Sequence, residues 1–487
     1  MEYETVIGLE VHVQLATASK MFCGCGSDYQ SAEPNTRVCP VCLGLPGSLP
    51  QINSKAVEYT ILTGLALGCE IPEYTKFDRK NYPYPDLMKG YQISQYDKPL
   101  ALSGIMPIEV DGIHKDVSVT RVHLEEDVAK LSHVTDSSGS YSIVDINRAG
   151  VALMEIVSEP DMRSADEARQ YLMNLHSIVQ YLGVSNANME DGNFRCDANV
   201  SVRPKGQTEF GTRTEIKNMN SFRSVVSAIE YEKVRQIELI ESGGKVVQET
   251  RGWVDDRQIT ASQRSKEQAH DYRYFPEPDL PPLNITSEMI ERIKAQLPEL
   301  PTYRKQRFIQ DLGLTDYEAT LLTSEKATAD YFERVLDEVS NGPVNGKVIK
   351  TTSNFILGDL TALMKEDSED FTHCSLRTNH LAELVSAVVS GDISVNIAKK
   401  VLSESFESKV SPSVIIERNG YSVIVDKEIL SKQVESVIAN NTKAVEDYKS
   451  GKESAAKFLV GQVMKETRGQ AKPDVVLDIV MGILSKY

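Results

Sequence analysis

No stretch of the 487-residue chain approaches the ~18 consecutive apolar residues that a membrane-spanning helix needs; even Val151-Ala152-Leu153-Met154 is broken at once by Glu155. A transmembrane chain is excluded. The start, Met1-Glu2-Tyr3-Glu4-Thr5-Val6-Ile7, lacks the basic and apolar regions of a signal peptide, so the expected location is the cytoplasm. Positive charge is scarce, with 53 Lys and Arg against 70 Asp and Glu and a net charge of −17. That argues against a protein that coats nucleic acid non-specifically, while leaving room for a local basic surface. There is no Gly-x4-Gly-Lys-Ser/Thr loop, because Gly346-Lys347 and Gly451-Lys452 lack the upstream glycine and the following hydroxyl. Any nucleotide is held in another way. Ser137-Ser138-Gly139-Ser140 reads as a hairpin turn, and no hydrolytic nucleophile is found. Internal repeats and low-complexity tracts are also missing.

What is there is ordinary globular composition, 41% hydrophobic and 25% charged, at a length that suggests roughly three domains. Residues 9–15, 117–125 and 194–203 alternate strictly and read as strands. Residues 164–182 read as a helix with Ser164 as N-cap and Glu167 at the capping-box spacing, and 221–242 as a second helix ended by Gly243-Gly244. The cluster Pro276-Glu277-Pro278-Asp279-Leu280-Pro281-Pro282 stops regular structure, and beyond it helical periodicity dominates, including 319–339. A weaker break falls at Ser411-Pro412-Ser413. The expected fold is α+β: a β-rich domain with helices over 1–294, an all-helical domain over 295–410, and a small helical tail over 411–487.

Four of the seven cysteines fall as Cys23-x-Cys25, thirteen residues, then Cys39-Pro40-Val41-Cys42-Leu43-Gly44. Two close pairs separated by a loop fit tetrahedral Zn²⁺ with four sulfur ligands and no open position, which makes the site structural. Two disulfides or unrelated thiols are the alternatives, and a cytoplasmic location argues against disulfides.

Polar groups recur on single strand faces. Glu10, His12 and Gln14 share one face opposite Leu9, Val11, Val13 and Leu15, and Arg121, His123 and Glu125 repeat the pattern beside Glu126 and Asp127. A solvated face would look the same. Glu155 interrupts an otherwise buried segment, where an unpaired carboxylate would cost several kcal/mol, so a metal ion or other cation belongs beside it. Arg195, Asp197, Asn199, Ser201 and Arg203 occupy one face that suits phosphate through Arg and Mg²⁺ through Asp and Asn, or else lines an exposed meander. Two segments, 77–86 and 270–275, interleave Tyr, Pro, Arg and Lys as base stacking or simple packing would require.

Together these motifs carry a resemblance. The stretches Ile7-Gly8-Leu9-Glu10-Val11-His12-Val13, Phe77-Asp78-Arg79-Lys80-Asn81-Tyr82, Tyr91-Gln92-Ile93-Ser94-Gln95, Glu155-Ile156-Val157-Ser158-Glu159-Pro160-Asp161, Arg195-Cys196-Asp197-Ala198-Asn199 and Asp271-Tyr272-Arg273-Tyr274-Phe275-Pro276, with the cysteine cluster, stand in order along the chain. Over its whole length the chain resembles the B subunits of glutamyl/aspartyl-tRNA amidotransferases. The resemblance implies a cradle-shaped N-terminal domain that uses ATP and Mg²⁺ to phosphorylate the side-chain carboxylate of Glu or Asp mischarged on tRNA(Gln) or tRNA(Asn). It also implies an amidase (A) subunit that supplies ammonia and a small (C) subunit that clasps the pair. Carried over residue by residue, Glu10, His12, Glu125 and Glu155 are the expected metal-binding and catalytic group, with Cys23, Cys25, Cys39 and Cys42 on zinc. Acyl-phosphate formation needs metal and Arg to neutralise the transferring oxygens, which makes Arg195 and Arg203, with Asp197 and Asn199, the expected nucleotide contacts. For tRNA the expected contact is the tail, where Lys443, Lys449, Lys452, Lys457, Lys465, Arg468 and Lys472 outnumber Glu446, Asp447, Glu453 and Glu466. One departure is Val128-Ala129-Lys130, where the family has Ala-Gly-Lys.

Overall fold

The computed structural model describes all residues except 1, 138, 266–271, 340–343, 422–426, 451, 453, 468–470, 472 and 486–487. Ser138, His270, Asp271, Glu453, Arg468 and Lys472 of the motifs above therefore lie outside the described residues. The chain divides into two compact units, 1–300 and 301–487.

In the first unit the strands are β1 (Tyr3–Gln14), β2 (Tyr74–Thr75), β3 (Asp78–Asn81), β4 (Tyr91–Ser94), β5 (Ala101–Val110), β6 (Ile113–Glu126), β7 (Lys130–Asp136), β8 (Gly139–Asp145), β9 (Ala152–Ser158), β10 (Phe194–Pro204), β11 (Thr214–Met219), β12 (Glu249–Val254), β13 (Ile259–Ser265) and β14 (Phe275–Pro276). The helices that cover them are α1 (Ser54–Ala66), α2 (Ala165–Tyr181) and α3 (Phe222–Glu241). Eight strands form one sheet in the order β13-β12-β11-β10-β1-β9-β6-β5, antiparallel except where β11 meets β12. β1 lies inside the sheet, and its odd residues Ile7, Leu9, Val11 and Val13 join Met154, Ile156, Val122, Leu124, Cys196 and Ala198 in a core shared with all three helices. The other face carries the polar residues. The alternation thus places the apolar side against the helices and leaves one sheet surface for chemistry.

α2 begins as the cap pattern requires, with the Ser164 hydroxyl accepting from the Glu167 amide at 3.1 Å. The reciprocal half of the capping box is absent, because the Glu167 carboxylate accepts instead from the Arg163 amide at 2.7 Å and pairs with Lys115. α3 ends at Glu241 with Ser242 as C-cap, followed by Gly243 at φ 82°. Ala129, at the site of the Ala-for-Gly departure, does not fall in the left-handed region, so its Cβ brings no backbone strain.

The second unit is helical. The periodicity of 319–339 is split into two helices, Asp316–Leu322 and Lys326–Val339, because the Thr323 and Ser324 hydroxyls take the carbonyls of Ala319 and Leu321 and end the first helix. The break at Ser411-Pro412 starts a helix, Pro412–Asn419, whose Ile415 belongs to the core running back to Phe308. A separate core begins at Leu430 and joins the helices Lys427–Asn440, Thr442–Lys449, Ser454–Glu466 and Pro473–Leu484. Among the described residues no helix is long and apolar enough to cross a membrane.

One buried charge ties α3 to the sheet edge. Glu232 is fully buried, paired with Arg235 at 2.5 Å and with Arg251 of β12 at 3.6 Å, and it accepts from Thr260 of β13 at 3.0 Å. Removing one partner of such a cluster strands the other charges. We expect Glu232→Ala to lower stability by roughly 3–5 kcal/mol, read as the denaturant midpoint, and a change within error would show that the cluster is dispensable.

Candidate active site and metal centre

The antiparallel registers align one row of side chains across four strands. Arg195 of β10 faces His12 of β1, His12 faces Glu155 of β9, and Glu155 faces His123 of β6. One step along, Asp197, Glu10, Val157 and Arg121 form the next row, and in the opposite direction Gln14, Leu153 and Glu125 form a third. Irregularities in the pairing fall at both flanks, between Cys196 and Ala198 and between Val119 and Arg121, where a bulge re-aims a side chain.

His12 Nε2 lies 3.3 Å from Glu155 Oε2 and 3.6 Å from Glu125 Oε1, and His123 Nε2 lies 3.5 Å from Glu155 Oε2. Ligand atoms of His12, Glu125 and Glu155 all lie within 4.8 Å of one another. Both carboxylates are buried, at 2% and 6% exposure. Burial alone would lower the His12 pKa, but the Glu155 hydrogen bond and the charges of Glu155 and Glu125 overcome it and hold the imidazole at about 9. Burial instead prevails at His123, lowered to about 4. Burial and the Glu155 charge raise Glu125. At Glu155 the effect of burial is overcome by the facing His123, by His12 and by Lys80, which hold it well below the usual carboxylate range. Two acids in one pocket split in this way because both cannot stay charged without a cation. One imidazole and two carboxylates offer a divalent ion three ligands on a rigid sheet, with the open side free for water or substrate.

The structure thus brings together three of the four expected ligands. Glu10 sits one row away, accepting from Asn199 Nδ2 at 2.9 Å, in a group with Asp197, Glu215 and Lys217, where Lys217 Nζ lies 2.5 Å from Asp197 and 3.3 Å from Glu215. Arg195 borders the site and donates to Asp127 at 2.9 Å, while its buried Nε has no hydrogen-bond partner. That leaves guanidinium donors for an anion. Arg203 is not brought here: it pairs with Glu4 at 2.6 Å, eight residues from Arg195, or about 27 Å along a strand. Its alternation with Arg195 showed only a shared face, and strand length separates them.

Several residues that face the site are not among the expected ligands. His123 lay in view between Arg121 and Glu125 on one face. Lys80 comes from β3, which pairs with β4 and β14 in a small sheet. This sheet meets β6 through Ser94, whose hydroxyl donates to Glu125 at 3.3 Å, and it joins the two Tyr-rich segments: Tyr82 packs edge-on to Tyr272 at 5.7 Å and Tyr96 stacks on Tyr274 at 4.2 Å. The Lys80 ammonium lies 5.3 Å from the Tyr272 ring, and the charges of Glu125 and Glu155 raise its pKa against the effect of burial. The alternation Glu215-Ile216-Lys217 was the signal for the Lys217 group.

The sulfur atoms of Cys23, Cys25, Cys39 and Cys42 also lie within 4.8 Å of one another. All four thiols are free. Cys39 and Cys42 sulfurs are 3.9 Å apart, close to the ~3.8 Å edge of a tetrahedron with Zn–S bonds of about 2.3 Å. The Cys39 amide points at Cys42 sulfur at 3.1 Å. The hydrogen bond from Cys23 draws the Cys42 thiol down to about 5 despite its burial, and burial pushes Cys25 up to about 11. The donor set forms a candidate metal site, and its geometry suits a soft tetrahedral ion.

The family described as "GatB/GatE catalytic domain" matches residues 5–291, and that described as "GatB domain" matches 325–484. The chain belongs to the GatB family. It is 55% identical over 490 residues to the B subunit of the aspartyl/glutamyl-tRNA(Asn/Gln) amidotransferase of Dehalococcoides mccartyi, covering 100% of this chain and 99% of that one. Its identity to the proteins of the same name is 53% in Carboxydothermus hydrogenoformans (100% and 99% covered) and 52% in Caldicellulosiruptor saccharolyticus (100% of both). His12, Glu125, Glu155, Lys80 and Arg195 all lie within the catalytic-domain match.

A divalent cation entering between His12, Glu125 and Glu155 must displace the proton that His12 holds below about 9. Its affinity should therefore rise roughly tenfold per pH unit between 7 and 9. Calorimetric titration with Mn²⁺ in buffers of different ionisation heat should show about one proton released per ion at pH 7.5; no release would contradict the raised imidazole. Without the ion, the same raised pKa stabilises the fold below about 6.5, and this contribution is lost as the pH climbs to about 9.

Proposed function

We propose that the sheet face around His12, Glu125 and Glu155 activates the side-chain carboxylate of Glu on tRNA(Gln) or Asp on tRNA(Asn), using ATP and Mg²⁺, for amidation by ammonia from an amidase subunit. The chain is a subunit of a tRNA-dependent amidotransferase, a carbon–nitrogen ligase. The observation that carries the finer reading is the three-ligand set buried on one row of the catalytic-domain sheet. Mg²⁺, when bound, would neutralise charge on the transferring phosphate. Around it, Arg195, whose buried Nε is unpaired and whose guanidinium is steadied by Asp127, would contact phosphate oxygens. Lys80, among Tyr82, Tyr272 and Tyr274, offers a positive charge to the carboxylate that must approach. Nothing in the sequence supplies a hydrolytic nucleophile, which agrees with ammonia arriving from an A subunit, with a small C subunit completing a cytoplasmic heterotrimer. Zn²⁺ is the proposed ion for the four cysteines, in a structural role. We also propose the three-part division 1–294, 295–410 and 411–487, with the helix Pro412–Asn419 packed on the core of the middle part, so a truncation that frees the tail belongs after that helix.

The test is ADP release by the assembled complex with mischarged tRNA. Glu155→Gln keeps the shape and removes the charge, so release should fall by about two orders of magnitude, and the melting temperature of the metal-free protein should drop because protonated His12 loses the carboxylate it pairs with. A stable variant with normal ADP release would remove Glu155 from the site.

The tail is proposed as a tRNA contact. Lys443, Lys449, Lys452, Lys457 and Lys465 are all exposed, and Lys457 and Lys465 lie two turns apart on the helix Ser454–Glu466, beside the half-exposed Phe458. Lys452 pairs with Asp447 at 2.8 Å. Lys457→Glu with Lys465→Glu should raise the KM for tRNA at low salt and leave the KM for ATP unchanged, with the difference shrinking at high salt. An unchanged KM for tRNA at low salt would remove the tail from the interface.

A further inference from the structure

The thirteen residues between the two cysteine pairs, 26–38, reach well beyond the sulfur cluster. The Tyr29 hydroxyl donates to Gln14 Oε1 at 3.0 Å, and Gln14 Nε2 donates in turn to Asp127 Oδ2 at 2.7 Å. Asp127, 3% exposed, is the carboxylate that holds Arg195 Nη2 at 2.9 Å. The other end of the loop grips the turn Ile146–Arg148: the Arg37 amide donates to Asn147 Oδ1 at 2.7 Å, Asn147 Nδ2 donates to the Glu33 carbonyl at 2.8 Å, and the Ile146 amide donates to Asn35 Oδ1 at 2.8 Å. Asn147 is fully buried. The same turn carries Arg148, whose Nε lies 3.7 Å from Asp127 Oδ1 and whose guanidinium donates to the carbonyls of Val128 and Ala129 at 2.9 and 3.0 Å. From inside the cluster, Lys20, with no exposed surface, donates to the Arg37 carbonyl at 2.7 Å and takes the Cys25 carbonyl through its own amide at 2.9 Å.

Two of the three side-chain partners of Asp127, Gln14 and Arg148, are thus held by the cysteine loop. The Gln14 amide can sit in two orientations. With its carbonyl engaged by Tyr29, its NH₂ must face Asp127, whereas the flipped amide would set an oxygen against the carboxylate. We infer that the four-cysteine loop is a positioning element for the active site: a metal on the cysteines orders 26–38, Tyr29 and Asn147 set Gln14 and Arg148, and these align Asp127 so that Arg195 presents its free donors to phosphate. Tyr29 and Asn147 are positioning residues and touch no reacting atom. The last link rests on the proposed role of Arg195.

The test uses the full complex with three variants, Tyr29→Phe, Cys39→Ser and their combination, with Arg195→Ala as reference. Readouts are metal content, melting temperature, KM for ATP and for tRNA, and hydrogen–deuterium exchange over 144–150 and 193–196. Tyr29→Phe should keep its metal, its melting temperature and its KM for tRNA, while the KM for ATP rises about tenfold and exchange in 193–196 increases. Cys39→Ser, measured below its lowered melting temperature, should lose the metal, expose both peptides and raise the KM for ATP similarly. Adding Tyr29→Phe to it should change the KM no further, because both act through one path. Unchanged exchange in Tyr29→Phe, or additive effects in the double variant, would overturn the proposal. If Arg195→Ala leaves the KM for ATP unaltered while Tyr29→Phe still raises exchange, the phosphate role fails and the positioning path stands.

Discussion

Two buried acids that cannot both be charged on their own set the terms for the rest of the first unit. Glu125 and Glu155 stand on neighbouring antiparallel strands of a sheet whose reverse side is packed against three helices, so neither can relax toward water. Their environment answers with an imidazole held protonated between them, with the half-buried Lys80 nearby, and with Arg121 3.9 Å from Glu155. Each is a substitute for a cation. On the function proposed above, a divalent ion would replace that diffuse positive charge, and an ion held by a preorganised sheet face would need no reorganisation when phosphate charge develops.

The sheet performs the placement through register. His12 is opposed to Arg195 on one side and Glu155 on the other, and Glu155 to His123, so residues from four distant stretches of chain meet without any loop having to carry them. Loops supply the rest. The small sheet of β3, β4 and β14 brings the two Tyr-rich segments over the acids, and the cysteine loop braces Asp127 from the other end. Opposite Asp197 the extra residue of a bulge falls in β11, where Asn218 has φ 66°, and Lys217 meets the Asp197 carboxylate there.

Much of this was legible in the residues because period-two alternation is a local property. The strand faces holding Glu10, His12, Glu125 and Arg195 follow from alternation, as do the capped start of α2 and the isolation of Glu155 in an apolar run. The cysteine spacing likewise announced a four-sulfur site. Cross-strand register is not local, and a shared face does not by itself bring two residues together. Glu10 shares a face with His12 yet falls one row away, among Asp197, Glu215 and Lys217. Arg203 shares a face with Arg195 yet lies at the far end of the strand, taken by Glu4. Lys80 and the link from Tyr29 to Gln14 depend on loop paths that no periodicity encodes. The helix split at Thr323 shows the same limit at short range, where side-chain hydroxyls compete with an otherwise helical pattern.

The central claim is that a divalent ion sits between His12, Glu125 and Glu155. The most direct measurement is anomalous diffraction at the manganese edge from crystals of the complex grown with Mn²⁺ and a non-hydrolysable ATP analogue. A single strong peak within bonding distance of the His12 nitrogen and of one oxygen from each carboxylate is the predicted result. A peak placed only among Glu10, Asp197 and Glu215, with His12 still hydrogen-bonded to Glu155 and no density between them, would contradict the account.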